Sequence, residues 1–218
     1  MMEKEELKKF VKENGADLFG VADLRNYSND FVKSKVEKGI DRGIVIGVRL
    51  SSEIFEDIED HPTQEYYHHY RQANMLLDQI ALKVTIYIQR KEYRAFPIPA
   101  SQIKDWEKQT ALASHKYLAF LAGIGWIGRN NLIVTPEYGA QVRLVSILTD
   151  LPIEYDSPMA QDCGNCVKCI PVCPVKAISF EPENFNHLAC FMKLKEFVKM
   201  KYVGQYICGI CVKVCKGK

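Results

Sequence analysis

Cysteine is the residue type in this chain with the clearest capacity for chemistry, and its spacing is regular. Eight of the 218 residues are cysteines. The first four read C-x2-C-x2-C-x3-C followed by proline, at Cys163, Cys166, Cys169 and Cys173. This spacing is the one with which bacterial ferredoxins bind a [4Fe-4S] cluster. Four more cysteines follow, so the count equals the eight thiolates that two such clusters require: Cys190, Cys208, Cys211 and Cys215.

The same spacing predicts which thiols share a cluster. In two-cluster ferredoxins the fourth cysteine of each run binds the other cluster. We therefore predict one [4Fe-4S] cluster at Cys163, Cys166, Cys169 and Cys215. The other is predicted at Cys173, Cys190, Cys208 and Cys211. The second run is degenerate, because Cys190 is distant in sequence and Lys216 stands where the first run has proline.

Disulfides, zinc and unliganded core thiols are the alternatives to iron. Disulfides of this density are typical of short secreted chains, whereas this sequence opens MMEKEELKKF without an apolar signal region. Zinc sites favour two C-x2-C pairs held well apart. Three cysteines at successive three-residue steps instead suit a cuboidal cluster, and we interpret the pattern as an iron-sulfur protein that transfers electrons.

Composition predicts a soluble, cytoplasmic protein. Hydrophobic residues make up 47% of the chain, charged residues 26%, and the formal net charge is +2. This balance is not basic enough to indicate a nucleic-acid partner. The longest apolar stretch, 117–128, is shorter than the ~20 residues needed to cross a bilayer, so we expect no membrane segment.

Hydrophobic periodicity predicts an α+β fold in two domains, 1–155 and 156–218, with prolines interrupting the pattern near the boundary. Helices are predicted around residues 7–11, over 64–90 and over 105–122. Strands or extended segments are predicted at 18–21, 44–48 and 93–96. A hairpin is predicted between 132–134 and 142–148, with 135–139 as its turn.

A glycine-rich loop, 123–131, reads GIGWIGRNN. It matches the dinucleotide fingerprint G-x-G-x-x-G, but that fingerprint needs a preceding strand and a following helix. Here the predicted helix precedes the loop and the predicted strand follows it. The residues alone therefore leave two interpretations open: a ligand loop, or a structural turn packed by Trp126.

The order of motifs resembles epoxyqueuosine reductase and the related reductive dehalogenases. The resemblance covers most of the chain and rests on segments 121–132, 136–139 and 148–150, followed by the cysteine run. Both families place a corrinoid in a nitroreductase-like layered α/β core and supply it with electrons through two [4Fe-4S] clusters. The resemblance implies that residues 1–155 form such a core, followed by a small ferredoxin-like domain with both clusters, and that cobalamin lies against the loop.

By this resemblance the loop residues that contact the corrin ring would be Gly123, Gly125, Trp126, Gly128, Arg129 and Asn130. His115 and Lys116, on the preceding helix, are second-tier candidates. On this basis we expect Gly125→Val to abolish cobalamin binding and to leave the iron content unchanged. The structural interpretation predicts instead that the same substitution destabilises the whole domain.

The sequence also departs from the family. Epoxyqueuosine reductases carry a catalytic aspartate upstream of the glycine loop, where this chain reads FPIPAS at 96–101 and has no acid. Dehalogenases usually carry a tyrosine proton donor, and the resemblance matches no tyrosine of this chain to that role. Tyr70, at the start of the long predicted helix, is a separate candidate for a proton donor. His68 and His69 are adjacent in the predicted helix, point about 100° apart and are not expected to hold one ion together.

Two function classes follow. The first is a corrinoid-dependent iron-sulfur reductase that acts on a small electrophilic molecule. The second is an electron carrier or reductive activator for a partner corrinoid protein, without turnover of its own. A ferredoxin or flavodoxin is the expected redox partner in either case. A core of about 155 residues favours the reductase, because a carrier alone needs only the smaller domain.

Overall fold

The computed structural model describes residues 2–102 and 111–217, which fold into two compact units. Of the described residues, the first unit contains 2–48, 73–102, 111–124 and 143–159. The second contains 49–72, 125–142 and 160–217. The predicted division at 155/156 lies close to the last of these boundaries. The unit that holds the cysteines, however, also takes two segments from earlier in the chain.

A four-stranded sheet forms the centre of the first unit. Its strands are β1 (Leu18–Asp23), β2 (Arg42–Arg49), β3 (Ala95–Ile98) and β6 (Val142–Thr149), in the order β1-β2-β6-β3. β1 is antiparallel to β2, and β3 is antiparallel to β6. Residues 43–48 of β2 are all buried, as predicted for a strand that is covered on both faces.

The helices that this unit contains in whole or in part are α1 (Met2–Glu13), α2 (Asp30–Val36), α3 (Gln64–Arg90) and α4 (His115–Leu121). Helices α1 and α4 pack against strand β1. Helix α3 has the predicted bounds, and its residues at steps of three and four are almost fully buried: Leu77, Ile80, Val84 and Ile88. Residues 64–72 of α3 belong to the second unit and residues 73–90 to the first.

The helix predicted for residues 105–122 is shorter in the structure. Residues 111–114 are not helical, and α4 begins at His115. The reason is a cap: the Ser114 hydroxyl accepts a hydrogen bond from the backbone N–H of Tyr117, which satisfies a donor in the first turn. Residues 105–110 of the prediction lie outside the described part of the chain.

The second unit has little regular structure. Strands β4 (Trp126–Ile127) and β5 (Ile133–Val134) form a two-stranded antiparallel sheet. The helices are α5 (Cys169–Val172), α6 (His187–Lys199) and α7 (Ile210–Lys213), with 3-10 turns at 53–55 and 182–184. Cys169, Cys190 and Cys211 lie on these helices, and the other five cysteines lie in the loops around them.

The predicted hairpin between 132–134 and 142–148 is wrong. Strand β5 pairs with β4, while β6 lies between β2 and β3 in the larger sheet. The turn itself was placed correctly, because Thr135 and Gly139 exchange backbone hydrogen bonds of 2.9 and 3.0 Å. Proline and glycine fix the turn, but they do not determine which strand pairs with which.

Among the helices of the described residues, none combines the length and the apolar character that a membrane crossing requires.

Candidate metal centres

All eight cysteines are free thiols, and all lie in the C-terminal segment of the second unit. The loop before α5 begins with a turn in which the backbone N–H of Cys166 donates to the carbonyl of Cys163. Gly164, inside this turn, has φ +51°, a conformation that glycine adopts readily. Cys169 then opens helix α5. The C-x2-C-x2-C spacing thus becomes a tight turn that leads into a short helix.

Four thiols form a first group. Burial, and after it the neighbouring thiols of Cys215 and Cys163, raise the pKa of Cys169 to about 11, with a further contribution from Cys166. The pKa of Cys215 is raised by burial and then by Cys163 and Cys166. Cys163 and Cys215 also pack against the same small apolar cluster of Trp126, Val134 and Ala140, so the fold brings Cys215 near a cysteine about 50 residues earlier.

The other four thiols form a second group. Burial raises the pKa of Cys208 to about 11, with Cys190 and Cys173 contributing. The pKa of Cys190 is raised by burial and then by Cys173. Cys211 has a strongly raised pKa, caused by burial and then by Cys208 and Cys190. The assignment of these four thiols to one cluster stays a prediction.

The two groups adjoin each other. Cys169, a member of the first group, also contributes to the raised pKa of Cys211 in the second. Helices α5 and α7, which carry these two residues, are in contact. Two metal clusters bound by these two sets of thiols would therefore lie next to each other.

The donor set fits iron-sulfur chemistry. Each group offers four sulfur donors, the number of thiolates that a [4Fe-4S] cluster uses. Over residues 2–102 and 111–217, no three His, Cys, Asp or Glu side chains are close enough to hold a single metal ion. One group also has a sulfur that accepts a backbone hydrogen bond, since the N–H of Ala177 lies 3.3 Å from Cys173 Sγ. Such bonds to sulfur tune the potential of clusters.

Trp126 lies beside the first group. Its indole Nε1 donates to Cys163 Sγ over 3.4 Å, and its ring is 3% exposed. It packs in a small apolar cluster with Val134 and Ala140, against which Cys163 and Cys215 are also packed. Trp126 thus supports two of the four thiols of the first group.

Arg129 holds the cysteine loop through three carbonyls. Its guanidinium donates to the backbone oxygens of Phe180, Cys166 and Gly164 over 2.7, 3.0 and 2.8 Å. The guanidinium also lies 4.2 Å from the centre of the Phe180 ring. Arginine suits this position because its planar fork presents several donors in fixed directions. We infer that Arg129 orders the turn that carries Cys163 and Cys166.

Asn130 is 4% exposed and has an unpartnered donor. Its Oδ1 accepts from the backbone N–H of Leu132, which fixes the orientation of the amide, but its Nδ2 has no hydrogen-bond partner among the described residues. Asn130 Oδ1 and Cys163 Sγ both lie within 4 Å of the point where a Cβ on Gly128 would stand. The unused donor is therefore close to the first thiol group, where sulfur acceptors of a cluster would satisfy it.

The glycines of the loop are explained by contacts within the chain. A Cβ on Gly125 would overlap the carbonyl oxygen of Val134 on the paired strand β5. A Cβ on Gly123 would lie 2.5 Å from the carbonyl oxygen of Ser157, and Gly123 has φ +65°. Gly123 also borders a surface cavity of about 420 Å³ in the first unit. These close approaches do not require a corrin ring.

The proposed corrinoid contacts divide between the two units. His115, Lys116 and Gly123 belong to the first unit, whereas residues 125–131 belong to the second. Three side chains of the second set, those of Trp126, Arg129 and Asn130, are buried. Each has a role inside the second unit, and corrinoid contact by this set stays a prediction.

His115 is bonded through both ring nitrogens. Nε2 lies 2.8 Å from the carbonyl oxygen of Pro99 and so donates to it, while Nδ1 lies 2.8 Å from Ser146 Oγ and accepts from the hydroxyl. Burial lowers the pKa of His115 to about 4. Burial also lowers the pKa of Lys116 to about 8. His115 thus joins α4 to strand β6 as a neutral ring.

The stability of the protein should depend on His115 as the pH falls. The pKa of an unfolded histidine is about 6.5, whereas the pKa of His115 in the folded protein is about 4. Between these two pH values the unfolded chain binds a proton at this position and the folded protein does not. The free energy of unfolding therefore falls on acidification through this window, by about 3 kcal/mol. His115→Gln should flatten this part of the pH profile in thermal unfolding, whereas His68→Gln, at an exposed position, should not. Equal pH slopes for wild type and His115→Gln would contradict the assignment.

The other candidates lie on the first two turns of α3, in the second unit. Tyr70 is half-buried and packs edge-on against Tyr66, with ring centres 6.3 Å apart. His69 Nε2 accepts a hydrogen bond from the backbone N–H of Ser51, and burial lowers its pKa. His68 is exposed. The two histidines therefore have different surroundings, and Tyr70 as proton donor stays a prediction.

Sequence reasoning missed the partner of the turn at 135–139. Gly139 has φ +57°, and a Cβ there would overlap the carbonyl oxygen of Cys215. The next residue, Ala140, donates its backbone N–H to the same oxygen over 3.1 Å. This turn therefore fixes the position of Cys215. The glycine that ends the predicted turn was the signal in the sequence, and it did not indicate the partner.

Comparison with known proteins gives a consistent set of similarities. No family model matches the chain. An epoxyqueuosine reductase of Listeria monocytogenes is 34% identical over 149 residues, which are 65% of this chain and 37% of that protein. The structure of epoxyqueuosine reductase from Streptococcus thermophilus matches 99% of this chain and 66% of its own, with a TM-score of 0.67 and 21% identity.

A reductive dehalogenase studied for B12-dependent dehalogenation has a TM-score of 0.64 and 23% identity, over 81% of this chain and 25% of its own. The chain thus spans little more than a third of the Listeria relative and a quarter of the dehalogenase. The predicted α+β fold class is confirmed, because both similar structures share this arrangement of helices and sheet.

Proposed function

We propose that this chain, a relative of the epoxyqueuosine reductases and reductive dehalogenases, is an iron-sulfur oxidoreductase with two [4Fe-4S] clusters. One cluster would be held by Cys163, Cys166, Cys169 and Cys215, and the other by Cys173, Cys190, Cys208 and Cys211. The observation that carries the proposal is geometric: Cys163 and Cys215, far apart in sequence, pack against one apolar cluster, and the helices that carry Cys169 and Cys211 are in contact. The spacing of the eight cysteines supports the same division. When bound, such clusters supply one-electron transfer.

The surrounding residues have defined tasks in this proposal. Arg129 and Gly164 hold the loop of the first three thiols, and Gly139 and Ala140 bring Cys215 beside them. Trp126 donates a hydrogen bond to Cys163 Sγ and, with its apolar neighbours, limits the access of water. Hydrogen bonds to sulfur and exclusion of water both shift the potential of a cluster, so these residues would set it.

For the function of the whole protein we propose a corrinoid-dependent reductase that acts on a small electrophilic molecule. Support comes from the similarity to a reductive dehalogenase whose dehalogenation is B12-dependent. A first unit with its own sheet and helices also exceeds what an electron carrier needs. Cobalamin would be the bound corrinoid, and a ferredoxin or flavodoxin the electron donor.

The alternative is an electron carrier or reductive activator for a separate corrinoid protein. One observation favours it: the glycine loop is used inside the chain, since Gly125 packs against the Val134 carbonyl and Trp126 and Arg129 are buried. Residues 96–101 also have no acid for proton donation. Two function classes therefore stay open, and one experiment separates them.

That experiment begins with anaerobic protein, in which we expect about eight irons and eight acid-labile sulfides per chain. The loaded protein is then titrated with cob(II)alamin, followed by absorbance and electron paramagnetic resonance. A reductase should change the cobalt signal saturably at micromolar protein.

Three results would argue against parts of the proposal. About four irons per chain, or stoichiometric zinc, would contradict the two-cluster assignment. Eight irons with no change in the cobalt signal would exclude the corrinoid reductase and leave the electron carrier. Iron content and cobalt signal are thus independent readouts.

A further inference from the structure

We propose that the outward face of helix α6 is the docking surface for an acidic electron-carrier protein. This inference rests on the proposed function, because it supplies the electron donor of the same thiol groups. The docking surface consists of Leu188, Met192, Lys195 and Lys199 on α6, and Met200 and Lys201 directly after it.

The exposed apolar residues define the centre of this surface. Leu188 is 67% exposed, Met192 54% and Met200 51%. At 100° per residue, Leu188, Met192, Lys195 and Lys199 fall within about 60° of arc, so they form one stripe along the helix. Methionine is enriched in protein interfaces, and an apolar centre with a charged rim is their usual composition. The stripe therefore has the character of a protein-binding surface.

The other faces of α6 are packed against the chain itself. Phe197, about 180° from Leu188, and Phe191, about 60° from Leu188, are buried, at 2% and 9% exposure. Cys190 lies about 200° around the helix from Leu188 and is partly buried. One helix thus presents an open apolar and basic stripe outward and a metal-binding thiol inward.

The positive charge of the docking surface favours an acidic partner protein. Lys195, Lys199 and Lys201 are exposed, whereas the one acid on this part of the helix, Glu196, binds Lys193 over 2.9 Å. The net positive charge would attract a negatively charged protein and orient it before contact. The apolar centre favours a protein over RNA, since Leu188 and Met192 offer nothing to a phosphate backbone.

The position of Cys190 makes this surface suitable for electron entry. A helix with its side chains is about 10 Å across, so a cluster held at Cys190 would lie about one helix diameter from a docked protein. In each encounter one electron would leave the reduced carrier and enter the second thiol group's cluster. The carrier is then oxidised by one electron, the cluster is reduced by one electron, and no proton is required.

Charge reversal on the stripe tests the proposal. The iron-loaded protein is mixed with a reduced, strongly acidic ferredoxin in a stopped-flow instrument, and binding to the oxidised ferredoxin is measured by calorimetry. Lys195→Glu/Lys199→Glu should lower both the rate and the affinity by about tenfold or more at low salt, with a smaller effect at high salt. Leu188→Ser/Met192→Ser should weaken binding at every salt concentration.

The control variant carries the same charge change on α1, as Lys9→Glu/Lys12→Glu at two exposed positions, and should behave as wild type. Dithionite, which needs no docking surface, should reduce all variants at equal rates. Equal ferredoxin rates for wild type and Lys195→Glu/Lys199→Glu would overturn the proposal. So would tighter binding of an RNA stem-loop than of ferredoxin to the same lysines. A wild type without iron would instead refute the proposed function.

Discussion

Cys215→Ala should lose about half of the iron, and the loss should fall on the cluster assigned to Cys163, Cys166 and Cys169. The reason is structural: Cys215 lies beside these thiols, and burial together with Cys163 and Cys166 raises its pKa. A cluster with three ligands is labile, whereas the second group keeps its four thiols. Iron analysis and the electron paramagnetic resonance spectrum of the reduced protein measure the result.

Cys173→Ala is the matched control. Cys173 belongs to the first run in sequence, but it contributes to the raised pKa of Cys190 and Cys208 in the second group. Its loss should therefore spare the cluster at Cys163, Cys166 and Cys169. If Cys215→Ala and Cys173→Ala removed the same spectroscopic signal, the assignment of thiols to clusters would be wrong.

Gly125→Ala should have the second large effect, a loss of stability together with a loss of iron. The added Cβ would overlap the carbonyl oxygen of Val134, so the paired strands β4 and β5 have to separate. Overpacking against backbone costs about 3 kcal/mol or more. Trp126 follows in the chain and supports Cys163, so the first thiol group should be disturbed as well. This differs from the expectation that Gly125→Val spares iron.

Gly164→Ala provides the comparison. The nearest atom to an added Cβ there is Asp162 Oδ1 at 4.0 Å, so only the positive φ of +51° opposes the change. We expect a cost of about 1 kcal/mol and nearly full iron. The half-time of iron release at raised temperature measures both variants. Equal half-times of iron release in Gly125→Ala and Gly164→Ala would mean that the close pairing of β4 with β5 is not needed to retain iron.

Elements with a strong local signal were predictable from the sequence. Helix α3 has the predicted bounds, because its apolar residues recur over seven turns and no glycine or proline interrupts them. The division of the thiols into two groups stays a prediction, made from a spacing that is typical of one kind of cluster. The shortened helix α4 was not, since the serine that caps it lies inside an otherwise continuous helical pattern.

Contacts between distant segments were not predictable. The sequence shows glycine at positions 125 and 139, in a loop and in a turn. It does not indicate that these glycines closely approach the carbonyl oxygens of Val134 and Cys215. Arg129 was expected to contact a cofactor, whereas its guanidinium binds three backbone carbonyls up to 51 residues away. These outcomes depend on the path of the chain, and local propensity carries no information on that path.

The interleaved segments of the second unit have a consequence for synthesis on the ribosome. Gly139 and Ala140 leave the ribosome long before Cys215, whose carbonyl they contact. At about 5–20 residues per second, the delay is roughly 4 to 15 s. During this time Cys163, Cys166 and Cys169 emerge without their fourth partner, and their buried positions do not yet exist. A nascent chain would thus expose reduced thiols to oxidants and to competing metals, so iron delivery should be most effective once translation has passed Cys215.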